Sequence, residues 1–280
     1  MSLHPITRRN AVKYTFLVLI IIIGISFIIP FYFMFVTSFK TSDQYLVQKL
    51  LPTFPLSLEN YRWAFEKQKI LLNYVNNLII LVGTLVPFLL LVMTTGFYIG
   101  KIQFPGRRLS LYLISAVMIL PQMVLTVPLY RELAQIRLLD SRLGLILVYL
   151  AYFGPYSAYL MTTYFRDVPD TFIEAALIDG ATPWHVFWHI MTPMARPMIM
   201  TVIIIASQQI WNELTFALIL IRSSVQRTIM AAMALLSGQY GMGAVKSMAM
   251  LFLASLPMLL IYLFFQRYIQ QGVLAGGIKE

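Results

Sequence analysis

Six apolar runs set what this chain can become. Residues 15–39, 74–100, 109–130, 143–165 and 247–266 carry no Asp, Glu, Lys or Arg, and 197–221 carries one acid, Glu213. Each reaches the roughly 20 residues that cross a bilayer core as a helix. Lipid offers no hydrogen-bond partner, so a spanning backbone must satisfy itself, and a single segment does so as a helix. The period-two alternation of a membrane β-barrel is missing. With 59% hydrophobic and 11% charged residues, the chain is too apolar for a water-soluble domain of its length. The sequence therefore predicts an all-α membrane protein, with one transmembrane domain over 1–280 and six spans.

The net charge of +10 does not indicate nucleic acid. The basic residues are scattered over the short loops beside the spans, where they set topology and meet lipid head groups. Arg8, Arg9 and Lys13 precede the first run as in a signal peptide. That run is too long for a signal h-region and no small-residue cleavage site follows it, so it reads as a retained span. The basic N-terminus and the turn holding Lys101, Arg107 and Arg108 favour the cytoplasmic side. Six spans return both termini to that side. The other basic residues divide nearly evenly and add little. Without cysteine there is no disulfide framework.

Between the first two spans, Pro52 and Pro55 favour extended backbone. Leu58, Tyr61 and Phe65 then recur at helical spacing, predicting a short helix that lies on the membrane, on a partner or on the protein's own spans. Pro30, Pro121 and Pro128 bend the first and third spans. No inverted pair of broken helices is visible, which argues against a self-contained secondary transporter. No cluster of His, Asp or Glu faces one cavity, which argues against a membrane-embedded enzyme.

Residues 171–193, TFIEAALIDGATPWHVFWHIMTP, interrupt the apolar pattern. Thr171 and Glu174 fit a capping box, starting a short helix that runs to about Asp179. Gly180 can take the left-handed conformation that ends it. Thr182 can cap a second helix, with Pro183 at its first position. Trp184, Phe187 and Trp188 give that helix an aromatic surface, and Pro193 and Pro197 close the segment. On local physics alone this is either an ordinary hairpin or a docking element whose small Ala175 and Ala176 allow close approach.

The run Glu174–Ala175–Ala176, then Gly180, Ile190 and Pro193 at fixed spacing, resembles the EAA signature of permease subunits of ABC importers. The longer run EAALIDGATPWHVFWHIMTPMARP is similar to the carbohydrate-importing branch, with Thr192 where leucine is usual. Further stretches resemble the same branch: LENYRWAF (58–65), PQMVLTVPLY (121–130), WNELTFALIL (211–220) and RYIQQGVLAGGIK (267–279). The resemblance implies a multi-pass permease of a prokaryotic inner (plasma) membrane with both termini cytoplasmic. Residues 169–196 become a cytoplasmic coupling helix-turn-helix between spans four and five. Glu174, Ala175, Ala176, Asp179, Gly180 and Ala181 become the corner that docks on an ATPase. It implies two ATPase subunits, a second and related permease in a heterodimeric pore, and an extracytoplasmic solute-binding protein that delivers a sugar. A phosphorylated polyol stays open as cargo. ATP and Mg²⁺ belong to the ATPase, and this chain is expected to bind no cofactor. In the C-terminal tail, 267–280, the stretch Gly272–Lys279 resembles the tail of one of the two permeases, which is implied to reach into the ATPase interface.

The remaining candidates stay two-sided. Glu213, with Gln208, Gln209, Trp211 and Asn212, forms a polar patch in the fifth run. An acid in lipid is costly, so it faces a pathway, a partner permease or the outer end of the span. Asn73, Asn76 and Asn77 open the second run, with Asn73 and Asn77 on one face, and either contact substrate or tie helices together. His185 and His189 share a metal-ligand spacing but lack the Glu of an H-E-x-x-H arrangement. Gly96, Gly100 and Lys101 faintly suggest a phosphate loop, but the spacing is one short and Ile102 replaces the Ser or Thr.

Overall fold

The computed structural model describes residues 5–239 and 243–277. Among these it is all helix and loop. In chain order the helices are α1 (Pro5–Ser38), α2 (Ser42–Val47), α3 (Glu59–Glu66), α4 (Ile70–Lys101), α5 (Arg107–Met118), α6 (Gln122–Gln135), α7 (Arg142–Asp167), α8 (Thr171–Ile178), α9 (Pro183–Val186), α10 (Thr192–Met194), α11 (Arg196–Asn212), α12 (Thr215–Leu220), α13 (Ile229–Gln239) and α14 (Ala244–Gly277). A π-helical turn, Phe187–Met191, joins α9 to α10. The chain divides into two compact units: residues 1–69 with 235–255, and 70–234 with 256–280.

Four helical stretches are long and apolar enough to cross a bilayer: Lys13–Ser38, Ile70–Lys101, Arg142–Asp167 and Ala244–Gln266. Two bent pairs raise the total to six if each counts as one span. They differ from the simple spans expected over 109–130 and 197–221. In the first, α5 and α6 meet at 101°. Pro121 lacks an N–H and disfavours helical backbone at the residue before it, and α5 ends in tight bonds such as Leu120 N–H to Val117 O (3.1 Å) before α6 starts afresh. In the second, the helices of Pro183–Met194 and Arg196–Asn212 meet at 76°. The run then breaks again at Glu213, whose extended backbone (φ −68°, ψ 128°) separates α11 from α12. α13, in the stretch between the fifth and sixth runs, has no counterpart in the sequence reading.

In the first unit, α1 exposes apolar side chains along most of its length, from Tyr14 to Phe31 and beyond. Its C-terminal end is anchored. Thr37, Ser38 and Lys40 are buried. Asn60 of α3 donates from Nδ2 to the carbonyls of Ser38 (2.9 Å) and Lys40 (2.8 Å), satisfying groups that a helix end leaves open. The Tyr61 hydroxyl bonds Ser38 Oγ at 2.6 Å, and the Phe39 and Tyr61 rings sit 5.0 Å apart. Thr41 and Gln44 cap α2 reciprocally, a full capping box. So α3 does exist, but its buried face is Asn60 and Ala64; Leu58 and Phe65 point outward. The polar anchor, not the apolar stripe, fixes its rotation.

The second unit is built on α4 and α7, which pack along one another. Gly83, Gly96 and Gly100 make this possible. A Cβ on Gly96 would sit 2.5 Å from Met161 Cβ, one on Gly100 3.0 Å from Phe165 Cβ, and one on Gly83 2.8 Å from Ile146 Cδ1. Gly96 and Gly100 are therefore a small-xxx-small helix contact rather than a phosphate loop. Phe88, Leu145, Tyr149, Met161 and Phe165 fill the core around it. Gly96→Leu should lower the detergent-solubilised melting temperature by several degrees or abolish folded yield, because backbone as well as Met161 must retreat. Size-exclusion profiles and thermal unfolding read this directly.

Candidate functional site: a glycine corner and a polar clamp

α4 is about 48 Å long at ~1.5 Å per residue, and the second unit carries its polar groups near the two ends of this helix. Near Lys101, α7 ends at Asp167 and the chain turns into α8. Lys101 Nζ bonds Asp170 Oδ1 at 2.6 Å and also the Val168 carbonyl, fixing where α8 begins. Arg107 donates from Nε and Nη2 to the carbonyls of Ile99 (2.6 Å) and Gly100 (2.8 Å), closing the end of α4. Neither link has a local signal in the sequence, where these charges point only to topology.

α8 starts one residue earlier than the proposed capping box requires. Asp170 is the N-cap, in helical conformation and without a side-chain cap bond; its carbonyl takes the N–H of Glu174 at 3.0 Å. Thr171 is thus already inside the helix and the Thr171–Glu174 box does not form. The far end follows the sequence. Gly180 has φ +83°. The Ala181 N–H reaches the Ala176 carbonyl (2.9 Å) and the Gly180 N–H reaches that of Leu177 (3.1 Å), a complete Schellman closure. Thr182 Oγ1 then accepts from the His185 N–H at 3.2 Å with Pro183 at the first helical position.

The corner's surface is open. Glu174, Ala175, Asp179 and Gly180 are exposed, Ala181 is half-buried, and Ala176 is buried as the inner support. Phe172, Leu177, Ile178 and Trp184 add exposed apolar area, Ile178 at 86% exposure. Beneath them Val186, Phe187 and Met191 are buried, and the Phe187 ring packs tilted against that of Phe97 of α4, 5.2 Å between centroids. The corner is therefore rigid at its base and bare at its tip. His185 and His189 stack ring on ring at 4.1 Å, and no group of three metal-ligating side chains occurs among the described residues.

Near the start of α4, Asn73, Asn76 and Asn77 are all buried. Asn76 Nδ2 donates to the carbonyls of Val225 (2.8 Å) and Arg227 (2.9 Å). Asn77 Oδ1 accepts from the Ile229 N–H (2.9 Å), capping α13, while its Nδ2 meets the Trp211 carbonyl at 3.4 Å. Asp140 Oδ1 clamps the same loop by accepting from the N–H groups of Arg222 (2.9 Å) and Ser223 (2.8 Å). Asn76 and Asn77 thus tie elements together.

The polar patch of the fifth run separates into two faces. Gln208 and Asn212, one turn apart, are exposed; Trp211 and Glu213 are buried. Tyr74 of α4 lies over Trp211 at 6.0 Å. The Glu213 carboxylate accepts four hydrogen bonds: from the N–H groups of Phe216 (2.7 Å) and Ala217 (3.0 Å), the Tyr149 hydroxyl (2.7 Å) and Gln122 Nε2 (2.6 Å). It caps α12 and joins α6, α7 and α11. The sequence reading missed Tyr149 and Gln122.

The tail's expected role falls mostly outside what is described. α14 runs to Gly277, but the side chains from 267 onward and residues 278–280 lie outside the described residues.

Apolar helices and two bent pairs define a multi-pass membrane protein, with a bare glycine corner near the Lys101 end of α4. Residues 92–275 match the family described as the inner membrane component of binding-protein-dependent transport systems, and the chain belongs to it. It is 31% identical over 263 residues to the diacetylchitobiose uptake system permease protein NgcG of Streptomyces coelicolor, covering 93% of this chain and 87% of that one. It is 28% identical to the arabinooligosaccharides transport system permease protein AraQ of Bacillus subtilis, covering 92% of each. Among solved structures, it resembles a chain of a bacterial ABC transporter involved in the import of the acidic polysaccharide alginate. The TM-score is 0.78 at 22% identity, over 96% of this chain and 99% of that one, a likeness of fold. The protein is a transport permease component, not an enzyme.

Proposed function

We propose that the chain carries a sugar or oligosaccharide across the inner membrane as one permease of an ATP-driven importer, with six spans, the third made by α5 and α6 and the fifth by α11 and α12 after the 169–196 segment. Glu174, Ala175, Ala176, Asp179, Gly180 and Ala181 form the surface that sits on an ATPase subunit, and that surface faces the cytoplasm with both termini. A second, related permease completes the pore, two ATPase subunits supply ATP hydrolysis with Mg²⁺, and an extracytoplasmic binding protein delivers the cargo. The observation that carries this reading is the corner itself: a Schellman-closed turn with a buried base and a bare apolar tip. The carbohydrate names of its relatives support the cargo class. Gln208 and Asn212, exposed on one face of α11, are the side chains of the patch best placed to meet cargo or the partner permease; Asn73, Trp211 and Glu213 are buried.

The test is the reconstituted complex in lipid. Loaded binding protein should raise ATP hydrolysis severalfold over unloaded binding protein, with labelled sugar accumulating inside. Sugar uptake by this chain alone, driven by a proton or sodium gradient, would refute the assignment.

A further inference from the structure

The Lys101 end of the second unit carries two recesses that meet at one aromatic pair. The first is lined by Arg107, Arg108 and Arg166 together with Gln103, Phe104 and Leu111, and no acid lines it. Asp167, beside Arg166, is not part of its wall, and Asp170 is held by Lys101. Arg107 is fixed by its two carbonyl bonds at the end of α4. The second recess is lined by Phe97, Tyr98, Ile102, Pro183, Trp184 and Phe187, and its open surface is almost wholly carbon. Tyr98 belongs to the apolar recess and Phe104 to the basic one, and their rings lie 4.9 Å apart.

The chemistry of the pair is specific. Guanidinium groups bind phosphate oxygens as charge-assisted forks, and basic pockets beside membrane helices suit anionic lipid head groups. A free phosphate would use only the basic recess, a lipid without a phosphate only the apolar one, and phosphatidylcholine offers the arginines a phosphate whose charge its own choline offsets. Exposed Leu109 and Tyr112 on α5 extend the apolar border beside the arginines. We propose that this composite recess holds an anionic phospholipid, with its phosphate among Arg107, Arg108 and Arg166 and an acyl chain along the Ile102–Trp184 groove. The proposal does not depend on the cargo or on which side of the membrane this end faces.

The experiment uses the assembled transporter, equilibrated with an equimolar mixture of phosphatidylglycerol and phosphatidylcholine. Retained lipid is then quantified by mass spectrometry. Arg108 and Arg166 are exposed, so Arg108→Gln/Arg166→Gln should leave the fold intact. It should lose retained phosphatidylglycerol on the order of tenfold, with phosphatidylcholine unchanged. Ile102→Asn should lower it through the acyl-chain side. Arg62→Gln, a basic residue of the first unit, should change nothing. Undiminished phosphatidylglycerol in the double variant would overturn the proposal. So would an equal loss in Arg62→Gln, which means diffuse charge, or full displacement by soluble glycerol phosphate, which means a bare anion site.

Discussion

Gly180→Val should yield a permease that folds and assembles but no longer passes ATP hydrolysis into transport. A Cβ at position 180 meets nothing within 4 Å, so the valine side chain has room. The backbone is the obstacle. At φ +83° an L-residue costs roughly 1–2 kcal/mol, and a β-branched one more. The chain relieves this by abandoning the left-handed turn, which breaks the bonds from Ala181 to Ala176 and from Gly180 to Leu177. α9 then leaves α8 at a new angle, and the bare tip of Phe172, Leu177 and Ile178 no longer matches its partner. Transport should fall tenfold or more, since ~1.4 kcal/mol of misplaced contact already gives a factor of ten. Basal ATPase activity and detergent melting temperature should hardly move. Gly180→Asn is the control, because Asn accepts the left-handed region with the least strain among such residues. It should retain most of the coupling. Full coupling in Gly180→Val would sink the assignment of this corner to the ATPase.

What could be read from residues alone divides along the range of the forces involved. The Gly180 turn and the Thr182–Pro183 cap were legible because their bonds lie within four or five residues. The start of α8 was not. Lys101, far back in the chain, holds Asp170 and so begins the helix one residue before Thr171. The rotation of α3 was hidden for the same reason: Asn60 answers to carbonyls at the end of α1, and no apolar count reveals that. Four of the apolar runs coincide with the long apolar helices, but the breaks in the other two were not marked by apolar pattern. Pro121 announced a bend, yet the 101° angle depends on where α6 packs. The break at Glu213 has neither Pro nor Gly. Its only local sign is an acid three and four residues ahead of Phe216 and Ala217, the spacing of a side-chain cap. Gly96 and Gly100 faintly suggest a phosphate loop, while their spacing in an apolar helix is also that of close helix packing.

Glu213→Ala should lower the melting temperature of the solubilised protein by about 10 °C, the largest loss of stability expected from any single polar side chain of the second unit. The carboxylate is buried and serves four donors at 2.6–3.0 Å: two backbone N–H groups of α12, Tyr149 and Gln122. Removing it leaves all four unanswered where water is scarce. Each orphaned buried donor costs about 1–3 kcal/mol, and partial relaxation brings the net to on the order of 3–5 kcal/mol. Glu213→Gln should fall between, because its amide keeps one acceptor oxygen but sets an NH₂ against two donors that need an acceptor. Tyr149→Phe removes a single hydroxyl and should cost about 1 kcal/mol. The double variant Glu213→Ala/Tyr149→Phe should be less destabilised than the sum of the two, since the hydroxyl orphaned by the first change is gone in the second. These measurements also decide between the two roles open to Glu213. As a clamp across α6, α7, α11 and α12, it should affect stability and transport together. As a group that meets cargo, Glu213→Gln should impair transport at an unchanged melting temperature. With all four acceptor positions of the carboxylate engaged inside the protein, the first outcome is the expected one.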